Sequence, residues 1–450
     1  MNKDHVAIVG AGLVGSLEAL FLAKRGYRVS VFERRPDIRK TEIVAGRSIN
    51  LALSDRGWKA LEHVGIAQTI KEMSIPMYGR MIHDVDGNLN FQPYSKDGKA
   101  IYSVSRGGLN QKLLEWADEN DHVSLHFDEK CSGLDLKTNT LSFKHTVTNE
   151  ESKHSFDRII GTDGAFSAVR GRLRKTDRFN YSQEYLTHGY KELIIPPNPD
   201  GTHRMELNAL HIWPRGEFML IALPNLDGSY TVTLFFPFEG PRSFASIKNG
   251  EDVKAFFNET FPDAVALMPT LVEDYYDNPT SSLVMIKCSP WHYEDKVCLM
   301  GDASHAIVPF YGQGMNAGFE DCTVFEKIFA ANDANWGATF KEFSKKRKPD
   351  ADAICELALR NYIEMRDLTA DPQFVLQKKI EKHFSKRHPE LWTPLYEQVT
   401  FSHVPYSEAL KAGEAQDAIM KRVMDRPHIA EIWDGDEVEQ AIIEELKRKA

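Results

Sequence analysis

The residues best suited to chemistry sit in three short segments rich in glycine and aspartate. The first is Gly10-Ala11-Gly12-Leu13-Val14-Gly15, a G-x-G-x-x-G pattern. Alone, this spacing also occurs in ordinary structural turns. Here it follows a β-branched run at residues 5–10 and opens a helical pattern at Leu13. Glu33 and Arg34 answer it at the end of the next strand-like run. In that setting Gly10 permits a tight turn, Gly12 lets the backbone approach a pyrophosphate, and Gly15 allows close helix–strand packing. Unpaired N–H groups and the positive dipole at the helix start attract phosphates. Glu33 would accept from ribose hydroxyls and repel a 2′-phosphate, so the pattern favours FAD or NAD over NADP at this site.

The second segment, residues 158–170, carries Asp163-Gly164, Ser167 and Arg170. Its plain reading is a strand, an Asp-Gly turn and a helix starting at Ser167. The third runs Gly301-Asp302-Ala303-Ser304-His305, then Pro309, then Gly312-Gln313-Gly314-Met315-Asn316 and Gly318. An aspartate ending a buried strand can simply cap the helix that follows. The glycine-rich run after Pro309, however, gathers backbone amides at a helix start, which suits an anionic ring edge. Reduced flavin carries negative charge near N1 and O2, and a helix N-terminus there would stabilise it.

The elements that must position these segments are written in the periodicity around them. Residues 5–10, the helical pattern LVGSLEALFLAKRGY and RVSVFE make strand, helix, strand, with Gly26 where a helix C-cap glycine belongs. A short helix is expected over Asp55–Val64, preceded by an irregular AGRSINLALS. Residues 78–94 read as a hairpin around a three-residue Asp86-Gly87-Asn88 loop. SRGGLNQKLLEWADEN opens another helix, and strands are expected in VSLHFDEKCSGLDL, LSFKHTV and HSFDRIIGTDG. From about 180 to 287, alternating strands, prolines and one helix near 251–261 indicate a second, sheet-based unit. The style of the first unit returns at KVCLMGDASHA, a helix follows from about Gly314, and residues 350–450 are mostly helical, ending in a charged, helix-like EVEQAIIEELKRKA. The expected fold is α/β: a Rossmann-like FAD-binding domain (1–75, 100–180 and 288–345), an inserted, mostly antiparallel β-sheet substrate domain (76–99 and 181–287) and a C-terminal helical region (346–450).

Bulk composition narrows the partners. With 450 residues and a net charge of −10, the chain repels phosphate backbones, which argues against nucleic acid. Five cysteines (Cys131, Cys288, Cys298, Cys322, Cys355) show no zinc or redox spacing and suit reduced thiols in the cytoplasm. No metal site is expected. The N-terminus does not read as a signal peptide, and the longest apolar stretch, 218–223, is far short of the ~20 residues a membrane helix needs.

Taken in order, G-x-G-x-x-G, a D-G segment ending S-x-x-R, and G-D-A-x-H followed by P-x-x-G-x-G-x-N resemble the single-component FAD-dependent aromatic hydroxylases. That resemblance implies that the D-G segment (Asp163, Arg170) lies by the pyrophosphate and the nicotinamide path. It also implies that Asp302 holds the ribityl chain and that Arg106, in SVSRGGLNQKL, lies near the phosphate side of the flavin. The chain has no second dinucleotide fingerprint, as in that family, where the nicotinamide donor binds transiently. This absence, with the lack of a redox Cys pair, argues against the disulfide-reductase type of flavoenzyme.

Within the family, GRSINLALSDRGWKAL, MYGRMIHDVDG with QPYS, VPFYGQGMNAGFED and ALRNYIEMRD resemble the branch that hydroxylates the amino acid L-kynurenine. The likeness covers nearly the whole chain. It implies FAD as cofactor, NADPH as donor, and O2 as co-substrate, with oxygen transferred to the substrate ring from flavin C4a. In a three-residue hairpin, Arg80 would lie directly opposite Tyr94 on one face, with Cβ atoms ~5 Å apart. A guanidinium fork and a phenol suit an amino-acid carboxylate, although a surface arginine stacked on a tyrosine is the plainer reading. The resemblance gives the pair to the kynurenine carboxylate, and adds Asn361 and Tyr396 at the same end. Leu220, Phe235, Phe236, Phe238 and Phe310 are candidates to pack around an aromatic ring, or to be simple core. Family members often carry Phe where Tyr311 stands. Kynurenine's own amino group activates the hydroxylated carbon, so no side-chain base is required, and His305 reads as structural or flavin-side. The flavin-edge loop of Pro309, Gly312, Gln313, Gly314, Met315 and Asn316 is the expected centre of the chemistry. Relatives from eukaryotes carry a C-terminal hydrophobic anchor absent here, which implies a soluble bacterial form, as monomer or homodimer. Two alternatives stand: a same-fold hydroxylase of another anthranilate or phenol, and a non-catalytic flavin-binding or escort protein, which would not need the G-Q-G-M-N loop.

Overall fold

A computed structural model describes residues 3–40, 50–95, 97–365 and 371–449. Its organising element is a six-stranded sheet in the order His292–Tyr293, Val297–Leu299, Arg158–Gly161, His5–Val9, Arg28–Phe32, Val123–His126. All pairs in it are parallel except the short His292–Tyr293 edge. The first crossover runs from His5–Val9 through the helix Leu13–Lys24 to Arg28–Phe32. Gly26, with φ +77°, ends that helix in the left-handed region that glycine tolerates. Strand residues Val6, Ala7 and Ile8 are covered on both faces, as a parallel sheet between helix layers requires.

A seven-stranded sheet packs beside it, in the order Ser281–Ser289, Asn180–Ile195, Tyr230–Pro237, Met219–Pro224, Ala209–Pro214, Gly79–His83, Leu89–Pro93. Every pair is antiparallel except Ala209–Pro214 with Gly79–His83. The period-two alternation of its strands assigns each side chain to one of two cores. Phe236, Leu220 and Val232 face the helix Gly250–Thr260 and its neighbours, while Phe235 and Met219 face the C-terminal helices. The helices Trp336–Ile363, Leu395–Thr400 and Tyr406–Met424 cover that second face.

Three sequence expectations need correction. The hairpin loop is wider than three residues. The Asp84 carboxylate accepts from the amides of Asp86 and Asn88, and the Asp84 amide donates to the Asn88 carbonyl. This side-chain-closed turn shifts the register by two, so Arg80 pairs with Gln92 instead of Tyr94. Within AGRSINLALS, Asn50–Leu53 is a strand pairing with Ile101–Ser105. Four residues covered unevenly on both faces carry no legible alternation, and residues 45–49 lie outside the described ones. Finally, the helix near 251–261 is joined by Pro262–Val265 and Leu271–Asp277, the first of them started by a proline at its N-terminal position. All five cysteines are free. Among the described residues no helix is long and apolar enough to cross a membrane, and no His/Cys/Asp/Glu cluster could hold a metal.

Candidate active site

Three glycines divide the first turn between them. A Cβ on Gly10 (φ +105°) would meet the Thr162 carbonyl oxygen at 2.6 Å, and one on Gly15 would sit 2.0 Å from the Gly10 carbonyl oxygen. Both are required by packing. Gly12 differs, because nothing lies within 4 Å of an added Cβ, so its backbone is bare. The helix starting at Leu13 has no side-chain cap, which leaves first-turn N–H groups for an anion. Glu33 accepts from the Ala11 amide at 3.0 Å and from the Arg35 amide at 3.0 Å. Its carboxylate thus braces the turn from which it was expected only to reach outward.

Asp163 caps the next helix, accepting from the Ala168 amide at 2.6 Å and the Val169 amide at 3.2 Å. Its second oxygen, Oδ1, is buried with no hydrogen-bond partner among the described residues. Burial pushes its carboxyl up. Arg170 does not reach outward. It donates to the Ala303 carbonyl at 2.8 Å and to the Ala165 carbonyl, tying the D-G segment to the G-D segment. Asp302 follows Gly301 (φ +57°). It is exposed into the cavity; enclosure by the cavity walls pushes its carboxyl up, and the Arg106 charge acts in the opposite direction.

Beyond the single turn Pro309–Tyr311, Gly312 (φ +67°) redirects the chain into the helix Gly314–Ala331, which also begins without a side-chain cap. Gln313 and Asn316 shape this loop from behind. Gln313 Oε1 accepts from the Tyr406 hydroxyl at 2.8 Å. Asn316 Nδ2 donates to the carbonyls of Ala52 at 2.8 Å and Gly312 at 2.9 Å, and its Oδ1 accepts from the Ser54 amide. His305 turns away into a buried ionic cluster, with Nε2 2.6 Å from Asp321 Oδ2. Asp321 also accepts from the Gly301 amide and from Arg347 Nε, both at 2.9 Å. The G-D loop is therefore anchored by two residues, Asp321 and Arg347, that motif spacing did not single out. Their one legible trace is charge inside otherwise apolar helical patterns.

All three segments open onto one cavity of about 610 Å³. Gly10, Gly12, Leu13, Glu33, Arg34, Asp163, Arg106, Asp302, Pro309, Gly312, Gly314 and Met315 border it, as do Arg80, Tyr94, Phe310, Tyr311 and Tyr396. A bare glycine backbone, two uncapped helix starts and the orphaned Asp163 oxygen fit a dinucleotide-linked ring system such as FAD.

At the end built from the seven-stranded sheet, Arg80 meets two tyrosines, with a third stacked against one of them. Its guanidinium carbon lies 4.8 Å from the Tyr396 ring and 5.6 Å from the Tyr94 ring. Tyr94 stacks on Tyr396 at 5.1 Å, and Tyr396 on Tyr311 at 5.6 Å. Arg80 and Tyr94 thus meet diagonally across the shifted register, on the same face as expected. Arg80 and the Tyr94 hydroxyl interact with each other and with Tyr396, but neither Arg80 Nε nor the Tyr94 hydroxyl makes a hydrogen bond of good geometry among the described residues. Burial pushes the Tyr94, Tyr311 and Tyr396 hydroxyls up, which keeps them neutral donors. Ile221, Leu223, Phe235 and Met365 complete an apolar wall.

Three expected pocket residues lie elsewhere. Phe236 belongs to the opposite face of its strand, among Phe218, Phe244 and Phe256, because adjacent strand residues alternate. Leu220 shares that face. Asn361 donates to the Phe310 carbonyl at 2.6 Å and contacts Met365, so it holds the loop and does not border the cavity.

The FAD binding domain family model matches residues 3–358. Kynurenine 3-monooxygenase of Flavobacterium johnsoniae is 52% identical over 443 residues, covering 98% of this chain and 99% of the relative. The Dictyostelium discoideum protein of the same name is 46% identical, with 94% of each chain covered. In fold, the chain is similar to 2-methyl-3-hydroxypyridine-5-carboxylic acid oxygenase (TM-score 0.68, 18% identity, covering 84% of this chain and 96% of that one). It is likewise similar to a probable FAD-dependent monooxygenase from Pseudomonas aeruginosa (TM-score 0.64, 18% identity, 81% and 97% covered). With its full length matched at half identity, the chain belongs to the kynurenine 3-monooxygenase family of FAD-binding flavoproteins.

Proposed function

We propose that the protein hydroxylates L-kynurenine to 3-hydroxykynurenine, consuming NADPH, a proton and O2 and releasing NADP⁺ and water. The observation that carries this reading is the single cavity bordered both by the glycine turn and by the Arg80–Tyr94–Tyr396 cluster. Bound FAD supplies the acceptor for the NADPH hydride and the activation of O2. Gly10, Gly12 and Leu13 would receive the pyrophosphate, with Gly15 packing the helix against the turn and Glu33 and Arg34 toward the adenosine ribose. Asp163, Arg106 and Asp302 border the path to the isoalloxazine. Amides at Gly314 and Met315 would serve an anionic flavin edge, and Gln313 and Asn316 keep that loop in shape.

Arg80 binds the substrate carboxylate as a charge-assisted donor, and Tyr94 and Tyr396 supply neutral hydroxyls beside it. Phe235, Phe310 and Met365 hold the aromatic ring and exclude water, while Asn361 fixes Phe310 from behind. Residues 1–75, 100–180 and 288–345 form the flavin-binding unit, 76–99 and 181–287 the substrate sheet, and 346–450 the helical cover. Five free thiols fit a reducing, cytoplasmic setting.

The test is product analysis on FAD-reconstituted protein. L-Kynurenine should stimulate NADPH oxidation and appear as 3-hydroxykynurenine in proportion to the NADPH consumed. Protein that takes up no FAD, or that turns all its NADPH into hydrogen peroxide, would refute the proposal.

A further inference from the structure

The segment GRSINLALSDRGWKAL contains a charged side chain that the cavity does not use. Arg56, in the first turn of the helix Asp55–Val64, is 1% exposed. Its Nε donates to the Val399 carbonyl at 3.2 Å and its Nη2 to the Val404 carbonyl. Its Nη1 meets Glu320 on the helix Gly314–Ala331, and its guanidinium lies 3.9 Å from the centre of the Tyr406 ring. Glu320 is shared with Arg347, at 2.9 Å. One planar fork therefore holds two backbone carbonyls and one carboxylate while stacking on an aromatic face, which a lysine's single ammonium cannot reproduce.

Those carbonyls belong to the segment that carries Tyr396. The helix Leu395–Thr400 has only six residues, so most of its carbonyls lack intrahelical partners. So short a helix has little stability of its own. Val399 is three residues beyond Tyr396, near the helix C-terminus, where a cation also complements the helix dipole. Val404 lies in the connection to the next helix, Tyr406–Met424.

We propose that Arg56 is a positioning residue for substrate binding: it clamps the six-residue helix so that Tyr396 is held against Arg80 and Tyr94. This rests on the reading of that cluster as the carboxylate site. Arg56 does not border the cavity, and it reaches the substrate end through the helix that carries Tyr396.

The test uses the full-length, FAD-loaded enzyme and three variants: Arg56→Lys, Tyr396→Phe and the double substitution. Lysine keeps a positive charge opposite Glu320, so the buried carboxylate is not left alone. The readouts are FAD content and the L-kynurenine Kd, from the perturbation of the bound flavin's absorbance. Each single substitution should raise Kd roughly tenfold, the scale of one lost hydrogen bond to a charged or buried group. The double variant should be no weaker than the worse single one, with FAD content unchanged throughout. An unchanged Kd in Arg56→Lys, or penalties that multiply in the double variant, would overturn the inference while leaving the carboxylate site standing. If Tyr396→Phe alone left Kd unchanged, the carboxylate reading would fall, and this inference with it. Should Arg56→Lys not fold, Glu320→Gln, which removes the charged partner of Arg56, must raise Kd non-additively with Tyr396→Phe. An unchanged Kd there also overturns the proposal.

Discussion

Arg80 and Gly12 separate the two halves of the cavity at the level of single residues. Hydrogen bonds to charged groups contribute about 1.5–3 kcal/mol, so Arg80→Ala should raise the L-kynurenine Kd roughly 10- to 100-fold. FAD content should stay at the wild-type level, and loss of the flavin in that variant would remove Arg80 from a substrate role. Gly12 gives the complementary result. A Cβ there meets nothing, so Gly12→Ala should change apoprotein stability by less than about 0.5 kcal/mol. The same methyl would stand where the pyrophosphate approaches, and FAD affinity should fall by roughly tenfold or more, a cost of about 1.4 kcal/mol. Gly15→Ala, whose Cβ would lie 2.0 Å from a carbonyl oxygen, should destabilise the apoprotein as well, as a thermal melt would show. The glycine motif was legible in sequence because each position answers a different steric demand. Phe235 and Phe236 were not separable, since adjacent phenylalanines on a doubly covered strand carry no polar partner to mark the faces. Asn361 misled for a different reason: an amide's donors serve a backbone carbonyl as readily as a ligand.

Among the elements, the helix Leu13–Lys24 carries a built-in liability. Glu18 is fully buried in it, beside the Cys322 thiol, and neither of its carboxylate oxygens has a hydrogen-bond partner among the described residues. Burial, with smaller contributions from Glu326 and Asp321, pushes its carboxyl well above the ordinary value of 4.5. Below that value the acid is protonated whether the chain is folded or not, and burial costs nothing extra. As pH rises, the unfolded chain ionises first and the folded state loses ground. Glu18→Gln should therefore raise the melting temperature at pH 7–8, and the difference from wild type should shrink toward pH 5. A constant difference across that range would show that Glu18 is not the titrating group. Element boundaries were legible where periodicity meets a glycine, as at Asp55–Val64, which Gly65 ends, and at Gly314. The hairpin was legible in existence but not in register, because the Asp84 side chain lengthens the loop in a way a D-G-N signature does not report. Asn50–Leu53 was hidden because four residues in a three-stranded sheet offer too short an alternation.

At the scale of the whole molecule, the cavity lies where a parallel sheet, an antiparallel sheet and the C-terminal helices meet, so its walls come from segments hundreds of residues apart. That arrangement couples cofactor to stability. Free FAD at one hundred times its Kd should stabilise the fold by about 2.7 kcal/mol, read as a melting temperature that climbs with FAD concentration. A melting temperature indifferent to FAD would place the flavin outside the folded cavity. The order of motifs along the chain made the α/β architecture and the family legible. The ionic cluster of Arg56, Glu320, Asp321 and Arg347 was not, because it is assembled from helices whose contacts no local pattern encodes. If one cavity holds flavin and L-kynurenine together, substrate occupancy governs the flavin's encounter with NADPH. Anaerobic reduction of the bound FAD by NADPH, timed by flavin absorbance with and without L-kynurenine, tests it most directly. L-Kynurenine should accelerate reduction by on the order of tenfold or more, a lowering of the barrier by at least about 1.4 kcal/mol. Identical rates in the two conditions would contradict it.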